Sequence, residues 1–151
     1  MELGMIGLGR MGLNMAIRLI RAGHSVVGTA QGSDALDKLG ASGGKPVPDL
    51  PTLTRTLAPP RVVWLMVPSG STVDQVLAGL APLLAPGDLV VDGGNSNYRD
   101  SIRHAKKLEA DGIRFVDCGT SGGIWGLDNG YCLMAGGAEE DFRRVEPLLR
   151  D

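Results

Sequence analysis

The chain has 151 residues, about the length of one ordinary domain, and its 43% hydrophobic and 21% charged residues are the balance of a folded globular protein rather than a disordered one. Aromatic residues make up only 4%, which argues against stacking platforms for single-stranded nucleic acid, and a net charge of −2 offers no basic surface to nucleic acid or to an anionic membrane. The 23 glycines fall in clusters, which indicates tight loops at a binding site.

Apolar runs alternate with segments of helical periodicity along the chain. The predicted elements are, in order, strand Leu3–Ile6, helix Met11–Ala22, strand Ser25–Thr29, helix Asp34–Leu39, strand Arg61–Val67, helix Thr72–Leu84, strand Leu89–Asp92, helix Tyr98–Ala110, strand Arg114–Cys118, strand Tyr131–Ala135 and helix Glu139–Leu149. This order predicts one α/β domain of the Rossmann type over residues 1–151, with a doubly wound, mostly parallel sheet and helices on both faces.

Some local features of these elements are also predicted. Residues 40–60 are rich in Gly and Pro and are expected to form a surface connection with one or two helical turns near Leu53. Ser33 is placed to cap the second helix. The expected core includes the apolar faces of two helices and two packing tryptophans, namely Met11, Met15, Ala16, Leu19, Ile20, Ile102, Ala105, Leu108, Trp64 and Trp125.

Cellular location and metal binding are addressed only indirectly by the sequence. The longest apolar runs are far too short to span a bilayer, and the first residues show no basic segment or cleavage site of a signal peptide. Cys118 and Cys132 match no metal-binding spacing and are expected to be reduced, partly buried thiols. His24 and His104 are expected to be solvated or structural. A cytoplasmic protein without a metal site is the resulting expectation.

The first glycine cluster is Gly7-Leu8-Gly9-Arg10-Met11-Gly12, which follows a predicted strand and opens a helix. In that context G-x-G-x-x-G is typical of a dinucleotide site. The first glycine makes the tight turn, the second lets the backbone approach a pyrophosphate, and the third allows helix and strand to pack closely. Amide groups at the helix N-terminus would bind the anion. The alternative is a tight strand–helix turn that binds nothing.

The residues that select between coenzymes are expected at the end of the second strand. Ala30, Gln31 and Gly32 stand there, without the acid that binds the ribose of NAD and without the Arg that binds the 2′-phosphate of NADP. The missing acid removes a repulsion against the 2′-phosphate, and Gln31, Thr29 and Ser33 could donate hydrogen bonds to either coenzyme. NAD and NADP both stay open, with a slight preference for NADP. An alternative is a loop that binds the adenosine end only weakly.

Three further glycine-containing segments follow strands, at the edge of a parallel sheet where ligands bind. They are Val67-Pro68-Ser69-Gly70, Asp92-Gly-Gly-Asn95-Ser-Asn-Tyr98 and Gly119-Thr-Ser121-Gly122-Gly123-Ile-Trp-Gly126. Their backbone amides, their hydroxyls and the neutral amide of Asn95 could bind carboxylate, hydroxyl and nicotinamide groups, and Asp92 could orient a loop. Alternatively, these loops only cap helices, for which Ser96 or Asn97 is suited. No acid–base pair or nucleophile is evident among them.

Together these motifs resemble the family of decarboxylating 6-phosphogluconate dehydrogenases, most closely its shorter, bacterial-type branch. The resemblance covers the whole chain, but only the N-terminal domain of the family. The Gly-Gly-Asn-Ser and Ser-Gly-Gly-x-Trp-Gly motifs argue against the 3-hydroxyisobutyrate-type dehydrogenases, which share the fold and a Ser-Gly-Gly loop. The segments that carry the resemblance are Gly4–Met15, Asp92–Tyr98, Gly119–Gly126, Gly130–Met134 and Gly136-Gly137.

The resemblance implies a role for each motif. It assigns the pyrophosphate to Gly7–Gly12, the adenosine ribose to Ala30, Gln31 and Gly32, the nicotinamide side to Val67, Pro68 and Ser69, and 6-phosphogluconate to Ser121, Gly122 and Gly123, with Asn95 touching both cofactor and substrate. The intact enzyme would act in the pentose phosphate pathway and in gluconate utilization. It would oxidise 6-phosphogluconate at C3, and the resulting β-keto acid would lose CO2 to give ribulose 5-phosphate.

The resemblance also implies what this chain lacks. The family's catalytic Lys and Glu lie in a helical domain that would begin beyond Asp151, and the family dimerises through that domain. We therefore expect a homo-oligomeric full-length enzyme, and a 151-residue chain that binds a dinucleotide weakly and turns over nothing measurable. Two alternatives stay open: another β-hydroxyacid dehydrogenase of the 3-hydroxyisobutyrate type, and a nucleotide-binding module that performs no chemistry.

Overall fold

The N-terminal strand is an interior strand of a seven-stranded sheet in the computed structural model, which describes all 151 residues. The elements are β1 (Glu2–Ile6), α1 (Arg10–Arg21), β2 (Ser25–Thr29), α2 (Ser33–Ala41), β3 (Lys45–Pro46), α3 (Leu50–Thr56), β4 (Val62–Leu65), α4 (Ser71–Leu80), a 3₁₀ turn (Ala81–Leu83), β5 (Leu89–Asp92), α5 (Tyr98–Glu109), β6 (Arg114–Ser121), a second 3₁₀ turn (Gly123–Trp125), α6 (Gly126–Asn129), β7 (Cys132–Gly136) and α7 (Glu139–Arg150). The strand order is β3-β2-β1-β4-β5-β6-β7, and every neighbouring pair is parallel except β6 and β7. The predicted Rossmann-type sheet is confirmed.

Hydrophobic side chains fill both faces of the sheet. In β4, Val62 and Trp64 belong to one core while Val63 and Leu65 belong to the other, which is the two-residue alternation of a strand buried on both sides. Residues of α1 and α7 complete the first core, whereas residues of α3, α4 and α5 complete the second. Trp64 is fully buried, which confirms it as a packing residue.

The stretch from 40 to 60 contains more structure than the sequence prediction gave it. It holds the edge strand β3 and helix α3, whose Leu53 is fully buried. The Asp49 carboxylate caps this helix by accepting a hydrogen bond of 2.7 Å from the Thr52 amide. The predicted helical turns near Leu53 are confirmed as α3. The stretch is more than a surface connection, because it also holds β3 and buries Leu53 and Leu57.

Helix α5 turns a different face toward the sheet than its hydropathy predicts. Ile102 is 52% exposed, whereas Ser101 and His104 are buried. These polar residues are buried because acids lie opposite them. The Ser101 hydroxyl donates to Asp117 Oδ1 at 3.0 Å, and His104 Nε2 lies 2.8 Å from Asp74 Oδ1. The predicted apolar face is therefore wrong at Ile102, while the structural interpretation of His104 is confirmed.

Three smaller predictions are also wrong. Ser33 is the first residue of α2, and Gly32 holds the N-cap position, so no side chain caps this helix. Trp125 is 70% exposed, because its 3₁₀ turn projects beyond the two cores. Neither thiol is partly buried: Cys118 is fully buried in β6, and Cys132 is exposed on the edge strand β7. None of the helices combines the length and the apolar character needed to cross a bilayer.

Candidate functional site

The chain direction creates a crevice at one edge of the sheet. The strand order reverses between β1 and β4, so the loops after these two strands lead to opposite sides of the sheet. Parallel strands end at the same edge, which brings the loops after β2, β5 and β6 there as well. Backbone hydrogen bonds join these loops: Gly7 to Thr29 (3.0 Å), Met66 to Ile6 (2.7 Å) and Gly93 to Leu65 (2.9 Å).

Each glycine of the G-x-G-x-x-G turn has a different surrounding. Gly7 has a φ of +92°, and a Cβ there would lie 2.5 Å from the carbonyl oxygen of Met66. A Cβ at Gly12 would overlap the carbonyl oxygen of Gly7, so α1 can approach β1 only without a side chain. At Gly9, in contrast, a Cβ would meet no heavy atom within 4 Å. The second glycine therefore faces open space, as the approach of a pyrophosphate requires.

The N-terminus of α1 has uncapped amide groups that can bind an anion. Gly9 is the N-cap residue, no side chain caps the helix, and its first turn contains no acid. The first amide groups of an α-helix have no partner within the helix, and the helix dipole is positive at this end. The turn thus offers backbone donors and a favourable field at one point of the crevice.

The loop after β2 carries no charge at the expected selector. Ala30 is half-buried, and Gln31 and Gly32 are exposed. The first acid beyond them is Asp34, in the first turn of α2. The loop itself therefore has neither a carboxylate to bind a ribose diol nor a cation to bind a phosphate.

Two neighbouring loops pack closely because of a glycine pair. The Gly93 amide donates to Leu65, and a Cβ at Gly94 would lie 2.5 Å from the carbonyl oxygen of Val67. Any larger residue at Gly94 would push the loop after β5 away from the loop after β4. Pro68 and Ser69, in the latter loop, remain exposed beside this contact.

Asp92 organises the loop after β5, as the sequence suggested. Its fully buried carboxylate accepts hydrogen bonds from the Gly94 amide (3.0 Å) and from the Ser96 hydroxyl (2.6 Å). Asn97 caps α5 through the Arg99 amide (3.0 Å), so of the two suggested caps it is Asn97 that acts. The loop is thereby fixed at both ends around Asn95.

Asn95 joins the loop after β5 to the end of β6. Its Oδ1 accepts a hydrogen bond from the Thr120 amide (2.8 Å), and its Nδ2 donates to the Thr120 carbonyl oxygen (3.0 Å). Asn95 is also the one non-glycine residue with positive φ, at +56°, which Asn tolerates better than most residues. The side-chain amide of Asn95 thus donates one hydrogen bond and accepts another, so the two loops hold a defined spacing.

Glycines shape the loop at the end of β6 as well. Gly122 and Gly123 have φ values of +133° and +54°, and both are exposed together with Ser121. The ring of Tyr131 packs against this segment: a Cβ at Gly126 would overlap the ring, and one at Gly122 would lie 3.2 Å from it. The packing of the Tyr131 ring against Gly122 and Gly126 therefore holds this loop in position.

Burial shifts the pKa values of two titratable groups near the crevice. Burial raises the pKa of Asp117, while its hydrogen bond from Ser101 opposes that shift and the neighbouring Asp92 adds to it. Burial also raises the pKa of the Cys118 thiol to about 12. His24 lies elsewhere, where its Nδ1 is 2.9 Å from the N-terminal amine.

The predicted site residues lie at this edge, in the loops that follow the strands, in the first turn of α1 or at the end of β6. These are Gly7, Leu8, Gly9, Arg10, Met11, Gly12, Ala30, Gln31, Gly32, Val67, Pro68, Ser69, Asn95, Ser121, Gly122 and Gly123. The sequence interpretation missed Thr120 and Tyr131, which hold the loops in position. Thr120 acts through its backbone, which carries no sequence signal, whereas Gly122 and Gly126 were a sign that a bulky ring lies close.

Comparisons with known proteins agree with this geometry. Residues 2–151 match the family model described as the NAD binding domain of 6-phosphogluconate dehydrogenase. A relative from Haloferax volcanii, the NAD(+)-dependent, decarboxylating 6-phosphogluconate dehydrogenase, is 40% identical over 149 residues, which are 99% of this chain and 49% of the relative. The chain thus spans about half the length of that curated relative.

Solved structures share the fold. The 3-hydroxyisobutyrate dehydrogenase of Mycobacterium tuberculosis, solved with L-serine, superposes with a TM-score of 0.90 at 28% identity, over 98% of this chain and 50% of that one. The 6-phosphogluconate dehydrogenase of Plasmodium falciparum, solved in its apo form, with its cofactor NADP+ and with its substrate 6-phosphogluconate, gives 0.90 at 24% identity over 99% of this chain and 33% of that one. With the family model matched along nearly its whole length, the chain belongs to the family of NAD-binding domains of 6-phosphogluconate dehydrogenase.

Proposed function

We propose that this chain is the dinucleotide-binding part of an oxidoreductase that oxidises and decarboxylates 6-phosphogluconate to ribulose 5-phosphate and CO2. The observation that carries the proposal is the reciprocal hydrogen bonding of Asn95 and Thr120, which joins the loops after β5 and β6 at the sheet edge where the glycine turn also lies. Such a reaction requires a hydride donor and its acceptor to be held in contact, and these loops share that edge with the turn that fits a dinucleotide.

The glycine turn fits the coenzyme by two independent features. Gly9 leaves open space where a Cβ would otherwise project, and the uncapped N-terminus of α1 offers its amides to a pyrophosphate. We assign the pyrophosphate to Gly7–Gly12, the adenosine ribose to residues 30–32 and the nicotinamide side to Val67–Ser69. The bound nicotinamide would accept a hydride from C3 of the sugar acid.

The neighbouring loops supply groups for the sugar acid. With both bonds to Thr120 in place, the Asn95 amide retains one hydrogen and one lone pair of its carbonyl oxygen. Asn95 can therefore contact coenzyme and substrate while it keeps its structural role. We assign the hydroxyl of Ser121 and the backbone amides of Gly122 and Gly123 to the hydroxyl and carboxylate groups of 6-phosphogluconate. Their role is to orient C3 toward the nicotinamide.

The proton steps need residues beyond these loops. Asp92 is engaged in hydrogen bonds within the loop after β5, and Asp117 in one with Ser101 of α5. Neither histidine lies at the crevice. His104 is buried between α4 and α5. We therefore infer that the general acid and base come from a helical domain of a longer protein. The chain of residues 1–151 would then bind ligands without turnover.

We infer a preference for NADP over NAD. NAD-binding sites of this fold use an acid near residue 30 to bind the ribose hydroxyls, and Ala30 provides none. A carboxylate there would repel a 2′-phosphate, so its absence favours NADP. The Haloferax relative is NAD(+)-dependent by name, which makes coenzyme preference the property to measure first.

A second candidate function is a β-hydroxyacid dehydrogenase with a smaller substrate. The observation that favours it is the TM-score of 0.90 with a 3-hydroxyisobutyrate dehydrogenase at 28% identity. The two candidates share the coenzyme half of the site. They differ in the ligand that Asn95 and Ser121 would bind, so binding of the acid distinguishes them.

Calorimetric titration of the 151-residue chain with NADP+ and with NAD+ tests the first part of the proposal. We expect saturable binding of both coenzymes, with NADP+ bound more tightly. Absence of binding by either coenzyme would contradict the dinucleotide assignment. Tighter binding of NAD+ would contradict the coenzyme preference alone.

Amide NMR spectra of the NADP+-saturated chain test the second part. We expect 6-phosphogluconate to shift the resonances of Asn95, Ser121, Gly122 and Gly123, and 3-hydroxyisobutyrate to leave them in place. The reverse pattern would support the smaller acid. No NADPH absorbance should appear during the titration, and steady formation of NADPH would refute the inference that the proton-transfer groups lie elsewhere.

A further inference from the structure

Two unpartnered cations line the groove between α1 and α2. Arg10 is the first residue of α1 and follows Gly9, and Lys38 lies in the last turn of α2. Both side chains are exposed. The ion pairs of the chain are formed by other residues, for example Arg103 with Asp74, so these two charges are available to a ligand.

The two cations line the same groove because of helical spacing. The α1 side of the groove consists of residues spaced three and four apart, and so does the α2 side. The first set is Arg10, Leu13, Asn14 and Ile17, and the second is Asp34, Ala35, Lys38, Ala41 and Ser42. Gly9 belongs to the same lining, so the groove is continuous with the pyrophosphate end of the glycine turn.

The position of the groove corresponds to one part of the coenzyme. A dinucleotide whose pyrophosphate lies at Gly9 extends its adenosine ribose toward the end of β2, at residues 30–32. Helix α2 begins directly after these residues, at Ser33. The ribose would therefore lie over the mouth of the groove, between Arg10 on one side and the first turn of α2 on the other.

We infer that Arg10, assisted by Lys38, binds the 2′-phosphate of NADP and thereby replaces the cation that the loop at residues 30–32 lacks. The inference rests on the proposed dinucleotide function and adds to it the side chains that select the coenzyme. In the G-x-G-x-x-G motif, position 10 is an x position, to which the motif assigns no side-chain role. Here its side chain gains the role of a specificity residue.

The charges in the groove favour NADP over NAD. A phosphate monoester carries about two negative charges near neutral pH, and a guanidinium can donate two parallel hydrogen bonds to it. One acid, Asp34, shares the groove with the two cations, so positive charge is in excess. The ribose of NAD presents only hydroxyl groups here and gains little from a cation.

Matched substitutions on the 151-residue chain test the inference, with the dissociation constants of NADP+ and NAD+ measured at low ionic strength. Arg10→Gln keeps a polar side chain with hydrogen-bond donors but removes the charge. We expect it to weaken NADP+ binding about tenfold and to change NAD+ binding by less than about twofold. Lys38→Gln should act in the same direction with a smaller effect, and the double variant should abolish the preference.

Arg21→Gln is the control, because Arg21 is exposed on the same helix at its other end and should leave both coenzymes unaffected. Thermal unfolding of each variant excludes loss of folding as the cause. Equal weakening of NADP+ and NAD+ by Arg10→Gln, or no change in either, would overturn the inference. If the unsubstituted chain binds neither coenzyme, the proposed function fails instead, so the two failures are distinguishable.

Discussion

The side chain of Asn95 and the backbone of Thr120 form a closed pair of hydrogen bonds across two loops. Both bonds have ordinary lengths, 2.8 and 3.0 Å, and both backbone groups of Thr120 are satisfied by one side chain. Thr120 is buried, so its amide and carbonyl groups would otherwise lack partners. Asn95 is therefore a structural residue as well as a proposed ligand-binding residue.

Replacement of Asn95 should measurably destabilise the chain. Two partly buried hydrogen bonds of about 1 kcal/mol each predict a loss of about 2 kcal/mol for Asn95→Gly, which tolerates the positive φ. Asn95→Ala should cost about 1 kcal/mol more, because Ala disfavours that backbone conformation. Urea unfolding curves of the two variants and the unsubstituted chain measure both losses of stability, that from the hydrogen bonds and that from the backbone conformation. Equal stability of all three would show that the bridge contributes nothing.

Two glycines of the opening turn should respond differently to the same added methyl group. Gly9→Ala places its Cβ in open space, so folding should be unaffected while coenzyme binding falls at least about tenfold, since the pyrophosphate can no longer approach the backbone. In Gly12→Ala the Cβ would overlap the carbonyl oxygen of Gly7, and the chain should lose stability. Thermal unfolding and coenzyme titration of both variants separate the effects. Full coenzyme affinity in Gly9→Ala would contradict the site.

Much of the fold follows from the sequence because each central strand is buried on both faces and so stands out as an apolar run. The glycine turn was predictable for a similar reason: its spacing, strand and helix are all local. Helical turns were expected near Leu53, but the surrounding Gly and Pro residues hid the edge strand β3 and the burial of Leu53 and Leu57. In this stretch the helical spacing of the leucines indicated burial better than the Gly and Pro content did.

Contacts between residues that are far apart in the chain could not be predicted from the sequence. Ile102 is more hydrophobic than His104, yet His104 is the buried residue, because Asp74 on another helix provides its partner. The bond between Asn95 and Thr120 likewise depends on the register of β5 and β6. Hydropathy describes a residue without its partner, so buried polar pairs of this kind appear only in the structure.

The two cysteines should differ sharply in reactivity. Cys132 is exposed on the edge strand β7, whereas Cys118 is buried and its thiol pKa is raised to about 12 by burial. A thiol-specific reagent at mildly alkaline pH should modify one thiol per folded chain and two per unfolded chain. Cys132→Ser should remove the fast reaction, and Cys118→Ser should leave it unchanged. Rapid modification of Cys118 in the folded chain would contradict the burial.

Acid should weaken a link between α4 and α5. The Asp74 carboxylate accepts hydrogen bonds of 2.8 Å from Arg103 and from His104, and these bonds, that from Arg103 first, lower the pKa of Asp74 from 3.8 to about 2. A carboxyl group whose pKa is lowered by folding stabilises the chain above its unfolded pKa, and this contribution disappears as pH falls through the folded value. The stabilisation by Asp74 should therefore be complete above about pH 4 and lost between about pH 4 and pH 2.

The variant Asp74→Asn removes this contribution at every pH. The difference between its urea midpoint and that of the unsubstituted chain should be constant at mildly acidic pH and should shrink as pH falls below about 4. Asp111→Asn is the control, because Asp111 is an exposed acid outside the ion pairs of the chain and its replacement should give no pH-dependent difference. If the difference in urea midpoint for Asp74→Asn persists undiminished to about pH 2, the carboxylate is not held by Arg103 and His104.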